Sequence, residues 1–263
     1  MKSSGEQLLI GIHAVSSALK SAAGDVQWLR LLADSKNKRL AEIESRAHGS
    51  GIKVIRTSVS ELDKLSGQQR HQGVIAGFKG SNLATEGSLD TILDSIDGTA
   101  LILVLDGVQD PHNLGACLRT ADAAGVHLVV ICKDRSAGIT PVVRRAASGA
   151  AETLVVIQAT NLARVLRHLK ERGIWLAGTS DKASESLYAT DLTGPLALVM
   201  GSEGSGLRRL TGELCDYLVS IPMSGQVESL NVSVATGVCL YEINRQRNTP
   251  LLRIPAPTAY RSS

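Results

Sequence analysis

Residues 196–206, LALVMGSEGSG, join an apolar run to a glycine-rich turn that holds one acidic residue, Glu203. Five consecutive apolar residues that lead directly into a turn are typical of a strand covered on both faces of a parallel sheet. The glycines at 201, 204 and 206 permit unusual backbone conformations and let a ligand approach the peptide groups closely. We therefore predict an α/β fold with a binding loop at the carboxyl end of this strand, where open sheets bind ligands.

A second apolar segment, residues 217–223, leads to Ser229-Leu230-Asn231. Apolar residues then recur at helical spacing, at Val232, Ala235, Val238 and Cys239. The pattern predicts a strand, a loop and a helix, with the loop beside the glycine-rich turn.

Strand and helix patterns alternate upstream of this region, as in a parallel α/β sheet. The predicted strands of this domain are residues 100–105, 128–131, 154–157, 174–178, 196–200 and 217–221, with a helix at 162–172. A smaller α/β pattern precedes them, with helices at 11–19, 39–48 and 58–65 and strands at 28–32, 54–55 and 74–78. We expect four segments: a small domain at 1–79, an acidic linker at 80–99 with one short helix, a larger domain at 100–248 and a tail at 249–263.

Charge is distributed unevenly along the chain. Residues 1–80 carry 12 basic and 7 acidic side chains, whereas residues 81–100 carry 4 acidic and no basic ones. A basic N-terminal domain weakly favours a polyanionic partner such as a nucleic acid, although from charge alone a solvated basic surface is the simpler explanation.

The four cysteines lie in apolar surroundings without a C-x-x-C pair, so we interpret them as reduced core residues. No apolar run approaches the roughly 20 residues that span a bilayer, and the N-terminus lacks a signal sequence. We therefore expect a cytoplasmic protein without a membrane partner.

Two polar residues after the first predicted strand of the larger domain, residues 100–105, stand out. Asn113, just after Asp110-Pro111, is a candidate N-cap, and Arg119 lies beside apolar helix positions where a partly buried guanidinium needs an anion. The chain has neither the G-x-G-x-x-G pattern of dinucleotide folds nor a phosphate-binding P-loop, and no cluster has metal-ligand spacing. Without a metal, a reactive thiol or a triad, the chemistry is expected to come from an activated cosubstrate, and residues 201–206 favour a nucleotide-like ligand.

Three runs together carry a family resemblance: residues 106–120, 198–207 and 221–242. In this order they resemble the three motifs of the SpoU, or TrmH-like, branch of the SPOUT RNA 2'-O-ribose methyltransferases. The opening GIHAV at residues 11–15 and HQG at 71–73 extend the resemblance into the first domain.

The resemblance implies S-adenosylmethionine as methyl donor, no metal, a trefoil-knotted methyltransferase domain, an RNA-binding N-terminal domain and a homodimer. The implied reaction is methyl transfer to the ribose 2'-hydroxyl of a guanosine in 23S ribosomal RNA. The alternatives are the same reaction on transfer RNA and a non-catalytic role in RNA binding or ribosome assembly. A dinucleotide enzyme is disfavoured by the missing glycine pattern.

The resemblance also assigns roles to individual positions. The implied catalytic residues are Asn113, Arg119, Glu203, Ser229 and Asn231. The implied donor-binding residues are Thr179, Met200, Gly201, Glu203, Gly204, Ile221, Met223, Ser229, Leu230 and Asn231. The basic residues expected to contact RNA are Lys36, Lys38, Arg39, Arg70, His71, Arg144 and Arg145.

Overall fold

The computed structural model describes residues 7–21, 23–78 and 83–248. The expected tail at 249–263 lies outside the described residues, as does part of the expected linker. Within the described ranges the chain forms two sheets, one of four strands and one of eight. No helix in these ranges is both long enough and apolar enough to traverse a bilayer.

The four-stranded sheet belongs to the N-terminal domain. Its strands are β1 (Gln7–Ile10), β2 (Val26–Leu32), β3 (Lys53–Thr57) and β4 (Val74–Phe78), in the order β1-β4-β2-β3. Only β2 and β3 pair in parallel. The helices are α1 (Ile12–Ser21), α2 (Lys38–Gly49) and α3 (Val59–Ser66). Asn37 and Ser58 begin α2 and α3, because their side chains accept the backbone N–H groups of Arg39 and Glu61.

The segment expected to be an acidic linker is folded against the larger domain from residue 83 onward. Strand β5 (Leu83–Ala84) pairs in parallel with a strand of the larger sheet, and α4 (Leu89–Asp94) buries Leu89 and Leu93. One of its acidic side chains, Asp90, contacts His168 and Arg172 at 2.8 and 2.5 Å. These hydrogen bonds lower the pKa of Asp90.

The larger sheet is parallel throughout. Its further strands are β6 (Leu101–Asp106), β7 (Leu128–Cys132), β8 (Val155–Ala159), β9 (Trp175–Thr179), β10 (Glu185–Ser186), β11 (Leu196–Gly201) and β12 (Tyr217–Ser220). Its helices are α5 (Pro111–Ala123), α6 (Pro141–Ala147), α7 (Ala150–Thr153), α8 (Leu162–Glu171), α9 (Arg209–Leu214) and α10 (Val232–Asn248). The long strands and the helix predicted from the sequence are confirmed; the two-residue strands β5 and β10 were not predicted.

Helices cover both faces of this sheet, which explains its uninterrupted apolar strands. Residues of α5, α6, α7 and α10 share one core cluster with Leu103 and Leu105. Residues of α4 and α8 share the other cluster with Ile102 and Val104. Alternate side chains of β6 therefore enter opposite halves of the core.

Strand order brings the predicted loops together. The order is β10-β12-β9-β11-β6-β7-β8-β5, so β11 lies between β6 and β9 although it follows both in the chain. Because the strands are parallel, the carboxyl ends of β6, β9, β11 and β12 lie at one edge of the sheet. The segments that follow β6, β11 and β12 lead to Asn113, Glu203 and Asn231.

Candidate active site

Three side chains from distant parts of the chain form one hydrogen-bonded cluster. The Asn113 Nδ2 group donates to Glu203 Oε1, and the Asn231 Nδ2 group donates to Asn113 Oδ1 at 3.1 Å and to Glu203 Oε1 at 3.0 Å. Both asparagines therefore donate to the same carboxylate oxygen of Glu203, and the side-chain oxygen of Asn113 also accepts a hydrogen bond from Asn231. The cluster is open to solvent at Glu203 and Asn231, where a substrate can reach it.

Asn113 lies inside α5 and does not cap it, so the prediction of an N-cap role is wrong. Asp110 is the cap, because its Oδ1 accepts the N–H of His112 at 2.7 Å and Pro111 occupies the first helical position. The Asn113 side chain is therefore not used by the helix end and is available to Glu203.

Asn231 caps α10 with the oxygen of its side chain. Its Oδ1 accepts the N–H of Ser233 at 2.9 Å and the Ser233 hydroxyl at 2.6 Å. Capping fixes which end of the amide is the donor, so the Nδ2 group is directed to Asn113 and Glu203. The helix end thereby orients a functional group.

The glycine-rich turn folds back on itself immediately after β11. Ser202 and Gly206 exchange two backbone hydrogen bonds of 3.0 Å. A Cβ atom at position 201 would lie 2.2 Å from the Gly206 carbonyl carbon, so only glycine fits there. Gly204 adopts a φ of +81°, which places Glu203 at an exposed turn.

An ion pair anchors the end of this turn to β6. The Arg208 guanidinium contacts the buried Asp106 carboxylate and lies 2.7 Å from Cys132 Sγ, while the Arg208 N–H donates to Asp106 Oδ2 at 3.1 Å. Burial is the largest single effect on the pKa of Arg208 and lowers it, but the interactions with Asp106 and Cys132 together outweigh burial and the pKa is raised. This pair is not among the predicted site residues; an acid at the end of an apolar strand, Asp106, is the only signal of it in residues 100–106.

Arg119 is exposed on α5, so the expectation of a partly buried guanidinium is wrong. No hydrogen bond or ion pair of its side chain occurs within the described residues. Ser229 is likewise exposed and outside the Asn113 cluster. The structure therefore brings together three of the five expected catalytic residues by direct hydrogen bonds, and leaves the other two open to solvent.

The expected donor-binding residues follow the carboxyl ends of β9, β11 and β12. Thr179 ends β9, with its hydroxyl 3.7 Å from the Met200 sulfur, and Met200 is buried. Ile221, Met223 and Leu230 are half-buried along the segment between β12 and α10. These positions combine apolar side chains with the backbone of the glycine-rich turn, as small-ligand sites do.

The expected RNA-contacting residues divide into two groups. Lys36, Lys38 and Arg39 are exposed around the start of α2. His71 is engaged internally, since its Nδ1 accepts the Gly73 N–H at 3.0 Å and its Nε2 lies 3.2 Å from Asp63.

The second group lies where the two domains meet. Arg144 forms a 2.8 Å ion pair with the buried Glu152, and Arg145 donates to Gln69 of the N-terminal domain at 2.9 Å. Arg70 is exposed next to Gln69.

Residues 7–21, 23–78 and 83–248 contain no group of three His, Cys, Asp or Glu side chains that could hold a metal ion.

Comparison with known proteins agrees with both domains. Residues 100–241 match the SpoU rRNA Methylase family, and residues 8–84 match the family described as RNA 2'-O ribose methyltransferase substrate binding. The protein named 23S rRNA (guanosine-2'-O-)-methyltransferase RlmB from Ralstonia nicotianae is 53% identical over 93% of this chain and 98% of its own length. Its namesake from Shewanella oneidensis is 50% identical over 93% and 99%.

Solved structures share the fold over nearly the whole chain. The SpoU methyltransferase AviRb from Streptomyces viridochromogenes, in complex with the cofactor AdoMet, is 26% identical with a TM-score of 0.75, covering 92% of this chain and 91% of its own. An RNA 2'-O ribose methyltransferase is 30% identical with a TM-score of 0.74, covering 92% and 89%.

Proposed function

Because the chain belongs to the SpoU rRNA methylase family, we propose that it transfers the methyl group of S-adenosylmethionine to the ribose 2'-hydroxyl of a guanosine in 23S ribosomal RNA. The substrate assignment rests on one observation. Relatives that carry this activity in their names are at least 50% identical to the chain over 92% or more of its length. The Asn113–Glu203–Asn231 cluster supplies the intact polar site that a non-catalytic relative would not need.

The residues at the strand ends fit the methyl donor. Gly201 lacks the Cβ that would collide with Gly206, so the turn can fold back tightly at the carboxyl end of β11 and hold the exposed residues 203–205 at the edge of the site. Ile221 and Leu230, which are half-buried, offer apolar surface for a flat base. S-adenosylmethionine, when bound, supplies a methyl group already activated by a positively charged sulfonium.

The protein's own residues align the ribose and stabilise charge. We assign Asn113 and Asn231 to orienting the Glu203 carboxylate and the ribose, since both amides converge on one oxygen. Arg119 is assigned to the RNA phosphate and to the negative charge that develops on the ribose oxygen, because a guanidinium keeps its proton in proteins and is therefore a poor base. Ser229, next to Leu230, is assigned to the same ligand-facing segment.

A homodimer is part of this proposal. Val234 and Tyr241 are seven residues apart on α10, so they share one face of the helix, and their exposed fractions are 52% and 56%. Large apolar side chains left exposed on one helix face favour a protein partner. We further propose a knotted threading of α10, a cytoplasmic location and a division into an RNA-binding domain at 1–79 and a methyltransferase domain at 100–248.

Transfer of labelled methyl groups to protein-free 23S ribosomal RNA tests the proposal. A 2'-O-methyl group blocks attack of that oxygen on its phosphodiester, so the label is expected in an alkali-resistant dinucleotide that begins with guanosine. Arg119→Ala is expected to lower turnover by about a hundredfold while the affinity for S-adenosylmethionine is unchanged. The same assay is run in parallel with transfer RNA. Label found only in transfer RNA, or in neither RNA, would contradict the assignment of 23S ribosomal RNA as the substrate.

A further inference from the structure

The two domains touch through a contact that only glycine permits. Gly149, at the start of α7, has a φ of +102° and faces α1 of the N-terminal domain. A Cβ atom there would lie 2.9 Å from Ser17 Cβ and 3.2 Å from the His13 carbonyl oxygen. The Ser17 hydroxyl also donates to the Gly149 carbonyl oxygen at 3.1 Å. This close approach brings α1 of the N-terminal domain against the start of α7 in the larger domain.

Basic side chains from both domains line the cleft beside this contact. A cavity of about 40 Å³ is bordered by Arg70 and Gln69 from one domain and by Arg144, Arg145 and Glu152 from the other. Arg145 crosses the junction to Gln69 at 2.9 Å, so the two domains are bonded here as well as at Gly149.

One of the three arginines is already neutralised. Glu152 is buried and pairs with Arg144 at 2.8 Å, and its Oε2 atom has no hydrogen-bond partner within the described residues. Burial raises the pKa of Glu152 in spite of the opposing effect of Arg144. Arg144 is therefore committed to holding α6 and α7 together, and the net positive charge of the cleft comes from Arg70 and Arg145.

We propose that the junction is itself an RNA-binding surface, in which Arg70 and Arg145 bind backbone phosphates of one RNA segment that lies across both domains. Guanidinium groups suit this role because they bind phosphate oxygens with two parallel hydrogen bonds. Gly149 is the positioning residue that keeps the two arginines in register. This inference rests on the proposed RNA substrate and adds to it the path of the RNA.

The salt dependence of RNA binding tests the arginines. With a fluorescent 23S ribosomal RNA fragment, each of Arg70→Gln and Arg145→Gln is expected to reduce the slope of log Kd against log salt by about 0.7 to 0.9. The control is Arg167→Gln, which removes an exposed charge from α8 on the opposite face of the sheet. Slopes of the junction variants that equal that of Arg167→Gln would overturn the proposal.

The role of Gly149 is tested by comparison with a second glycine. Gly173 has a φ of +76° and no atom within 4 Å of a Cβ placed there, so Gly173→Ala introduces backbone strain without a clash. Gly149→Ala is expected to lower kcat/KM for RNA by about ten- to a hundredfold relative to Gly173→Ala, with unchanged affinity for S-adenosylmethionine. Equal kcat/KM values for the two variants would exclude the positioning role.

The proposed methyl transfer and the proposed junction surface can be refuted independently of each other. A wild-type protein that binds RNA through Arg70 and Arg145 but leaves 23S ribosomal RNA unmethylated would refute the proposed function and support the junction surface. Methylation with unchanged salt slopes in both junction variants would do the reverse. Since both arginine variants alter exposed side chains, their folding can be verified by thermal melting even if Gly149→Ala is unstable.

Discussion

Asn113 uses both ends of its amide, and this makes it a sharp test of the cluster. Its Nδ2 group donates to Glu203 and its Oδ1 accepts from Asn231 at 3.1 Å. Asn113→Asp keeps the shape but replaces the donor with a carboxylate oxygen that faces Glu203. Loss of a hydrogen bond to a charged group costs about 1.5–3 kcal/mol, so single-turnover methyl transfer is expected to fall by about ten- to a hundredfold.

Glu203→Gln provides the matched control for this change. In the double variant Asn113→Asp/Glu203→Gln, a donor and an acceptor face each other again at positions 113 and 203, but the new amide NH2 no longer accepts the hydrogen bond from Asn231 Nδ2, so the recovery is partial. The double variant is therefore expected to transfer methyl groups faster than Asn113→Asp alone. If it is as slow as the sum of the two single losses, the hydrogen bond between these side chains is not what the reaction uses.

Residue types in the sequence predicted part of this site, and local rules explain where the prediction failed. Asp110-Pro111 was a sufficient signal for the start of α5 at Pro111, yet Asn113 was given the capping role. Arg119 was expected to be partly buried because it follows Cys117 and Leu118, but its own position on the helix faces solvent. Counting helical positions from Asp110, the actual cap, places Asn113 inside the helix and Arg119 on its exposed side, which corrects both assignments.

The cysteines give a prediction for alkaline pH. Burial raises the pKa of Cys117 to about 11, and those of Cys215 and Cys239 to about 12, from a value of 9.0. The folded state thus retains thiol protons more tightly than the unfolded state. This contribution to stability is complete below pH 9 and is lost as the pH rises towards 11–12.

The melting temperature is accordingly expected to fall between pH 9 and pH 11, and less steeply in Cys117→Ala. At pH 8, disulfide reagents are expected to label these thiols about a hundredfold more slowly in the native protein than in urea, because the thiolate is the reactive form. Rapid labelling of Cys117 or Cys239 in the native protein would contradict the assigned burial.

At the scale of elements, the tie between β6 and the start of α9 holds the glycine-rich turn in place. Arg208→Ala leaves the Asp106 carboxylate buried without its partner. Breaking a fully buried pair costs about 3–5 kcal/mol; because the Arg208 side chain is 48% exposed, we expect about 2–3 kcal/mol in urea unfolding. The affinity for S-adenosylmethionine is expected to fall as well, since the turn begins at Gly201 and ends beside Arg208.

A second substitution, Asp106→Asn, removes the unpaired buried charge and so separates its cost from the loss of the ion pair itself. Asp106→Asn/Arg208→Ala is expected to recover part of the lost stability, because an amide costs less to bury than an unpaired carboxylate. Equal stability of Arg208→Ala and the double variant would contradict the destabilising effect assigned to an unpaired carboxylate at position 106.

Elements with a strong pattern were predictable and short ones were not. Strands such as β6 and β11 are continuous apolar runs, and α8 has apolar residues at regular helical spacing, so burial alone specifies them. Strands β5 and β10 have two residues each and exist only because a neighbouring strand edge is available. A two-residue segment has no periodicity that a sequence can reveal.

At the scale of the whole molecule, strand order determines the site. Asn113, Glu203 and Asn231 are separated by 90 and 28 residues, and they meet because β11 enters between β6 and β9. Hydrophobic patterns specify which segments are strands but not which strands are neighbours. The resemblance to a known family supplied that information, and the residues by themselves did not.

The proposed dimer is also a property of the whole molecule, and substitutions on α10 test it. Val234→Glu and Tyr241→Glu each place a charge on the exposed apolar face of α10, where burial against a second copy would leave that charge without a partner. Sedimentation is expected to show a dimer for the wild type and monomers for both variants, with loss of methyl transfer. Val59→Glu is the control, because Val59 is 51% exposed in the N-terminal domain and is the first residue of α3, where a negative charge is favourable. A dimeric Tyr241→Glu would move the interface away from this face, and a monomeric wild type that methylates RNA would show that one chain suffices.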